Sequence, residues 1–338
     1  MGNKKIIQIQ NLGFQWQAES PFLFSVHHKD AYPAGNDEQG PDVSLAGRNL
    51  GEDFAIKDGF RMYHGKTVPG FPYHPHRGFE TVTVVLEGFV DHFDSTGAVG
   101  RYGNGDVQWM TTGKGCLHSE MFPLVHEDRE NPLELFQIWL NLAAENKFSQ
   151  PVYKMLWSED IPVIETIAHN ERKSTVRIIT GSWEGKKSLE PSNVSWAKDR
   201  NHHVGIYLIK MEAEASITLP SISSTLNRNL YFYEGKEINI DDRTIESSNR
   251  IKLAGDQEIK IKNGSQESQL LVLEGEPIPE PIVQYGPFVM NSEEEIREAY
   301  KDYQMTQFGG WPWGRPDPVN ERNAGRFAKH ADGTVEKR

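Results

Sequence analysis

Residues 70–122 read GFPYHPHRGFETVTVVLEGFVDHFDSTGAVGRYGNGDVQWMTTGKGCLHSEMF, and this stretch decides both the fold and the chemistry. It contains two pairs of metal-ligating side chains, His74 with His76 and His118 with Glu120. In each pair the members are two residues apart. On a β-strand such residues point to one face, with Cα atoms about 6.5–7 Å from each other. If the two strands lie side by side, or nearly so, three neutral imidazoles and one carboxylate converge on one cation. That donor set coordinates a divalent transition metal at about 2.0–2.2 Å. A lone histidine on a strand is commonly a packing or surface residue. Two same-face pairs at matched positions favour a metal site.

The sequence between the pairs has the character of a small β-domain. Thr81–Leu86 is rich in β-branched residues and closes at Glu87-Gly88. Asp94–Gly97 and Gly103–Asp106 read as turns, Val107–Met110 as a short strand, and Gly113–Gly115 as a loop leading into the second pair. Short strands punctuated by glycine every eight to twelve residues or so predict an antiparallel sandwich or barrel.

HPHRGFETVTVVLEG, followed by GDVQWMTTGKGCLHSEMFP, resembles the pirin family, a bicupin branch of the cupin superfamily. The resemblance implies an all-β fold of two cupin (jelly-roll) barrels with a C-terminal helix and an irregular tail. It also implies iron, held by His74, His76, His118 and Glu120. The donor set itself suits nickel, copper, manganese or zinc as well. Some pirins show flavonol (quercetin) 2,3-dioxygenase activity, which implies a small aromatic substrate here, with Glu120 as the base that takes its hydroxyl proton. Other pirins act as transcriptional cofactors, so the alternative implied is a non-enzymatic, metal-dependent regulatory module with a protein partner.

A chain of 338 residues with 37% hydrophobic and 10% aromatic residues has material for two domains with real cores. Expected spans are 1–150 for a metal-binding barrel, 151–290 for a barrel without a metal site, and 291–338 for the helix and tail. A net charge of −12 argues against gripping nucleic acid by its phosphates, which needs a basic surface, and against attachment to an anionic membrane. Cys116 is the only cysteine, so no disulfide forms within the chain. The N-terminal MGNKKIIQIQNLGF has no apolar run long enough for a secretory signal or a membrane span. Gly2 suggests myristoylation, but Ile6 occupies the position that needs Ser or Thr. A soluble, cytoplasmic protein is expected.

His27 and His28 are adjacent, so a strand turns them to opposite faces; with the residues to Asp53 they read as a long polar loop. Phe60–Gly65 reads as a strand, with His64 a packing or surface residue. Glu80 shares parity with His74 and His76, and a buried carboxylate must be paired; a supporting role beside the ligands is expected. Cys116 shares parity with His118 and is expected to behave as a small hydrophobe. Leu133–Leu142 reads as a strand buried on both faces, and residues 143–173 as an irregular crossing segment.

From Ser174 to Glu276 a second strand-rich unit is expected, divided by glycine turns. LNRNLYFYEG (226–235) parallels FETVTVVLEG (79–88), which suggests an internal duplication. The second copy has no His-x-His or His-x-Glu pair, and His202-His203 are expected to be exposed, so one metal per chain is predicted. GPFVMN (286–291) followed by a helix also resembles pirins. Ser292 and Glu295 form a capping box, and Ile296, Ala299, Tyr300 and Tyr303 share one helical face. Trp311 and Trp313 are expected to dock on the protein or to cover a partner chain.

Overall fold

The computed structural model describes residues 4–338, so the Gly2 reading lies outside the described residues. Among the described residues the regular structure is mostly β, as the turn spacing predicted, with one α-helix of 14 residues, Glu293–Thr306. It divides into two compact units that are discontinuous in sequence.

The first unit comprises His27–Ile138, Leu142–Ser158 and Glu280–Arg338. One of its sheets runs in the order Val152–Leu156, Val107–Thr111, Phe79–Glu87, Asn131–Asn141, Phe22–Tyr32. The other runs Val335–Lys337, Phe327–Lys329, Val99–Gly103, Phe89–Asp94, Cys116–Met121, Gly70–His76. Side chains of both sheets, among them Val85, Leu133 and Leu135 from the first and Val90, Tyr102 and Ala328 from the second, share one core. Apolar faces buried against each other in this way are what hold a two-sheet sandwich together.

The second unit comprises residues up to Val26, Trp139–Asn141 and Glu159–Pro279. A seven-stranded sheet packs over a four-stranded one, and Ile209, Leu230, Ile251 and Val272 meet Ile217, Ile238 and Ile261 between them. Strands at Gly205–Met211, Ser216–Leu219 and Ser268–Gly275 lie within the strand-rich stretch expected from Ser174 to Glu276. The hairpin Glu237–Ile240 with Arg243–Glu246 was not anticipated.

The contiguous spans 1–150, 151–290 and 291–338 expected above therefore differ from the units observed. Ile6–Asn11 pairs with Asn249–Leu253, so the N-terminal strand belongs to the second unit and covers what would otherwise be a bare sheet edge. The helix and tail belong to the first unit. The capping box is present in both directions; Ile296 and Ala299 are buried, and Tyr300 and Tyr303 lie with ring centroids 4.8 and 6.1 Å from Phe288.

Three local readings are corrected. The polar loop starts only after Tyr32, because Phe22–Tyr32 is an 11-residue strand. Its polar residues stay within a strand because they are internally partnered: His27 with Glu134, His28 with Tyr63, and Asp30 with Arg61. Phe60–Gly65 is not a strand; Phe60 and Tyr63 make isolated bridges, and Tyr63 has φ of +56°. Residues 143–173 contain two regular strands, Val152–Leu156 and Val163–Ile167.

Candidate metal centre

The two donor pairs stand on two adjacent antiparallel strands, Gly70–His76 and Cys116–Met121. His74 faces His118 directly, and His76 faces Cys116. Gly70–His76 is an edge strand, which is why Pro72 and Pro75 are tolerated in it. Gly70 opens the strand at φ +127°, and a Cβ there would lie 2.5 Å from the Glu120 carbonyl oxygen. Only glycine allows the two ligand strands to approach so closely.

His74, His76 and His118 place one ligand nitrogen each within 4.8 Å of one another. Their ring centroids are 4.5 Å (His74 to His118), 4.7 Å (His74 to His76) and 5.0 Å (His76 to His118) apart. Burial pushes the His74 imidazole down to about 4, against a hydrogen bond to the Pro72 carbonyl that favours its charged form. Burial, and then the neighbouring rings, drive His76 and His118 well below the usual histidine range. All three are therefore neutral at pH 7 and offer lone pairs. His74 Nδ1 lies 2.9 Å from the Pro72 carbonyl oxygen, which makes Nδ1 the donor and leaves Nε2 free.

His118 carries the strongest sign of a missing partner. It is fully buried, and neither ring nitrogen has a hydrogen-bond partner. An orphaned buried polar atom costs about 1–3 kcal/mol. A cation shared with His74 and His76 would satisfy one of these nitrogens, and three imidazoles are a fitting donor set for a divalent transition metal.

Glu120 lies beside this triad. Its Oε2 is 3.9 Å from His118 Nε2. Oε1 accepts from Thr83 Oγ1 at 3.1 Å and Oε2 from Gln137 Nε2 at 2.5 Å. Burial raises the carboxyl above its usual range, only partly offset by His92, Thr83, Gln137 and Tyr102. Glu120 also lines a narrow crevice with His28, Phe71, Thr83, Phe122, Leu135 and Gln137. A roomier cavity of about 280 Å³ is bounded by Tyr32, Phe89, Phe122, Leu124 and Leu133. None of the triad lines it, so the chemistry is assigned by donors and not by size.

The remaining histidines and acids sort by their partners. Glu80 is buried, and its Oε1 accepts from Trp109 Nε1 at 3.0 Å and Thr111 Oγ1 at 2.6 Å, a structural part in the sheet. Cys116 is buried, and burial pushes its thiol up, so it is unreactive. His64 is exposed and bonds the Gly51 carbonyl at 2.6 Å. His202 is half-buried, stacked on Trp196 at 3.4 Å between centroids, whereas His203 is exposed.

Sequence reasoning missed four residues at the centre. His92 faces Glu120 across the strands, stacks on Tyr153 at 4.6 Å, and has Nε2 3.0 Å from Asp94 Oδ2. Thr83, Gln137 and Phe71 form the surroundings of Glu120. A signal existed for one of them: Gln137 is an amide inside the apolar run LFQIWL.

Residues 9–140 match the family model for Pirin, and residues 206–309 match that for the Pirin C-terminal cupin domain. A Pseudomonas aeruginosa protein named "Putative quercetin 2,3-dioxygenase" is 38% identical over 239 residues, 70% of this chain and 79% of that one. Pirin of Rattus norvegicus is 34% identical over 281 residues, covering 80% and 85% of the two chains. The crystal structure of quercetin 2,3-dioxygenase from Acinetobacter baumannii superimposes with a TM-score of 0.71 at 26% identity, covering 91% of this chain and 99% of that one.

Proposed function

This chain belongs to the pirin family, and from that premise we propose that it is a metal-dependent oxygenase acting on a small aromatic substrate of the flavonol class, a quercetin 2,3-dioxygenase. The observation that carries the reading is the triad of half-buried His74 with buried His76 and His118, with both nitrogens of His118 lacking hydrogen-bond partners. The names of the Pseudomonas and Acinetobacter relatives support the substrate class.

His74, His76 and His118, with Glu120 as the fourth ligand, would hold the metal, with iron the first choice and nickel, copper, manganese or zinc compatible with the same donors. When bound, it would supply Lewis-acid stabilisation of the substrate anion and a redox partner for dioxygen. Glu120 takes the flavonol hydroxyl proton. Its burial raises the carboxyl's proton affinity, which favours its acting as a base. Thr83 and Gln137 fix the carboxylate in place. Phe71, Phe122 and Leu135 are the apolar residues beside Glu120; the crevice that they line is too tight to admit a water molecule, so a flat aromatic ring would pack on them only after these side chains move.

The test is turnover: iron-loaded protein is incubated with quercetin in air while loss of its near-visible absorbance and release of carbon monoxide are followed. Both signals are expected. A metal-loaded protein that turns over no flavonol would overturn the oxygenase reading in favour of a metal-dependent regulatory module with a protein partner.

A further inference from the structure

Arg77 follows His76 directly, and its side chain is buried. Its Nε donates to the Lys114 carbonyl at 2.7 Å, and its Nη1 to the Asp302 carboxylate at 2.9 Å. The guanidinium carbon lies over the Phe308 ring, 4.5 Å from its centroid. Lys114 belongs to the loop that enters the Cys116–Met121 strand, and His76 pairs with Cys116. One side chain therefore ties the end of one donor strand to the start of the other. The third point of attachment is the C-terminal helix, which carries Asp302, with Phe308 just beyond its end. The Phe308 ring sits where Gly115 has no side chain: a Cβ on Gly115 would lie 2.7 Å from it. Phe308 has φ of +49°, a left-handed conformation that a bulky residue keeps only where its surroundings hold it. The Arg77 backbone completes the grip. Its N–H donates to the Pro287 carbonyl at 3.3 Å, and its carbonyl accepts from the Val289 N–H at 3.0 Å.

We propose that Arg77 is a positioning residue of the metal centre: with Asp302 and Phe308 it clasps the ends of the two donor strands and holds His76 in the triad. The inference rests on the metal-dependent reading above and adds the device that keeps its donors converged. An apolar side chain would fill the same space without the desolvation of a buried guanidinium. What it would lack is the directed fork, one arm on the Lys114 carbonyl and another on the helix carboxylate. The fork matters here because Gly70–His76 lies at the edge of its sheet, with a single neighbouring strand to fix its register. His76 with Cys116 is the last rung of that ladder, and the ends of an element open most easily. Movement of this rung would carry the His76 imidazole away from His74 and His118 while leaving both of those in place.

Cobalt(II) is the probe, because its visible bands report the number and arrangement of its ligands. Metal-free wild type, Arg77→Met, Arg77→Lys and Phe308→Leu are titrated with Co(II), and each is also melted without metal. Arg77→Met and Phe308→Leu are expected to bind Co(II) about tenfold more weakly, with altered visible bands. Arg77→Lys keeps the charge but not the fork, so its affinity is expected to fall between Arg77→Met and wild type. If Arg77→Met does not fold, Phe308→Leu, at a half-buried position, still decides. Lower melting temperatures with wild-type Co(II) affinity and spectrum would overturn the proposal and leave the clasp a packing feature. A wild-type protein that takes up no Co(II) would instead overturn the metal reading, and this inference with it.

Discussion

Phe71 stands directly opposite Glu120 in the antiparallel pair, although strict alternation from His74 turns it to the other face of its strand. Between Phe71 and His74 the register shifts: Phe71 pairs with Glu120 and His74 with His118. Three residues on one strand thus span two on the other. This is a β-bulge, which inserts one residue and re-aims the side chains beyond it. Its effect is to turn Phe71, His74 and His76 to the same side, so that an aromatic ring and two imidazoles come from one strand. The Tyr73 N–H, displaced from the ladder, donates to the Pro316 carbonyl at 2.8 Å.

Phe71→Ala is expected to weaken flavonol binding roughly tenfold, the loss of about 1–2 kcal/mol of ring contact, while metal content stays unchanged. Anaerobic fluorescence titration with quercetin, beside elemental analysis, measures both. Unchanged affinity would remove Phe71 from the substrate wall.

His118→Ala takes away the central member of the triad. Protein purified from metal-supplemented medium and then desalted is expected to carry about one ion per chain in the wild type and essentially none in the variant. A variant with full metal content would refute the assignment of the centre.

Glu120→Gln preserves size and removes the base. Turnover is expected to fall by about 10²–10⁴-fold, with quercetin still bound. Retained turnover in the variant would show that the proton goes elsewhere.

Acid should destabilise the protein through its buried imidazoles. Burial, then the charge of Arg61, pushes His28 down to about 3, and burial pushes His74 down to about 4. The unfolded chain takes up these protons near pH 6.5 and the folded one does not. Between those values the unfolded state binds more protons, so stability falls as pH drops from about 6.5 toward 3. Urea midpoints measured from pH 7 to 4 on metal-free protein are expected to decline. His28→Leu should flatten the decline, and an unchanged slope would contradict the assignment.

The tail holds the ligand-bearing sheet from outside. Phe327–Lys329 extends it by pairing with Val99–Gly103. Trp313 Nε1 donates to the Asp94 carbonyl at 2.8 Å, and its ring meets Phe93 edge-on at 4.9 Å; Trp311 stacks on Tyr73 at 5.0 Å. Both tryptophans are thus docked on their own chain. Trp313→Ala is expected to cost about 1–2 kcal/mol in urea unfolding; no measurable loss would mean that the contact is incidental.

Alternation and turn chemistry were local enough to be read from the chain. They located the strands around residues 79–87, 107–111 and 116–121, the capping box at Ser292, and the same-face pairs that include all three histidines of the triad. Each depends on neighbours within a few residues, and period-two geometry holds wherever a strand is regular. What depended on distant partners was hidden. The bulge at Pro72-Tyr73 breaks the alternation, so Phe71 gave no sign of its direction. Gln137 lies 17 residues from Glu120, and nothing in its own strand names that partner. Ile6–Asn11 has the alternation of a strand, but the edge that it covers belongs to residues 249–253. Side-chain direction is a local property of the backbone, whereas the choice of partner is settled only when the sheets close.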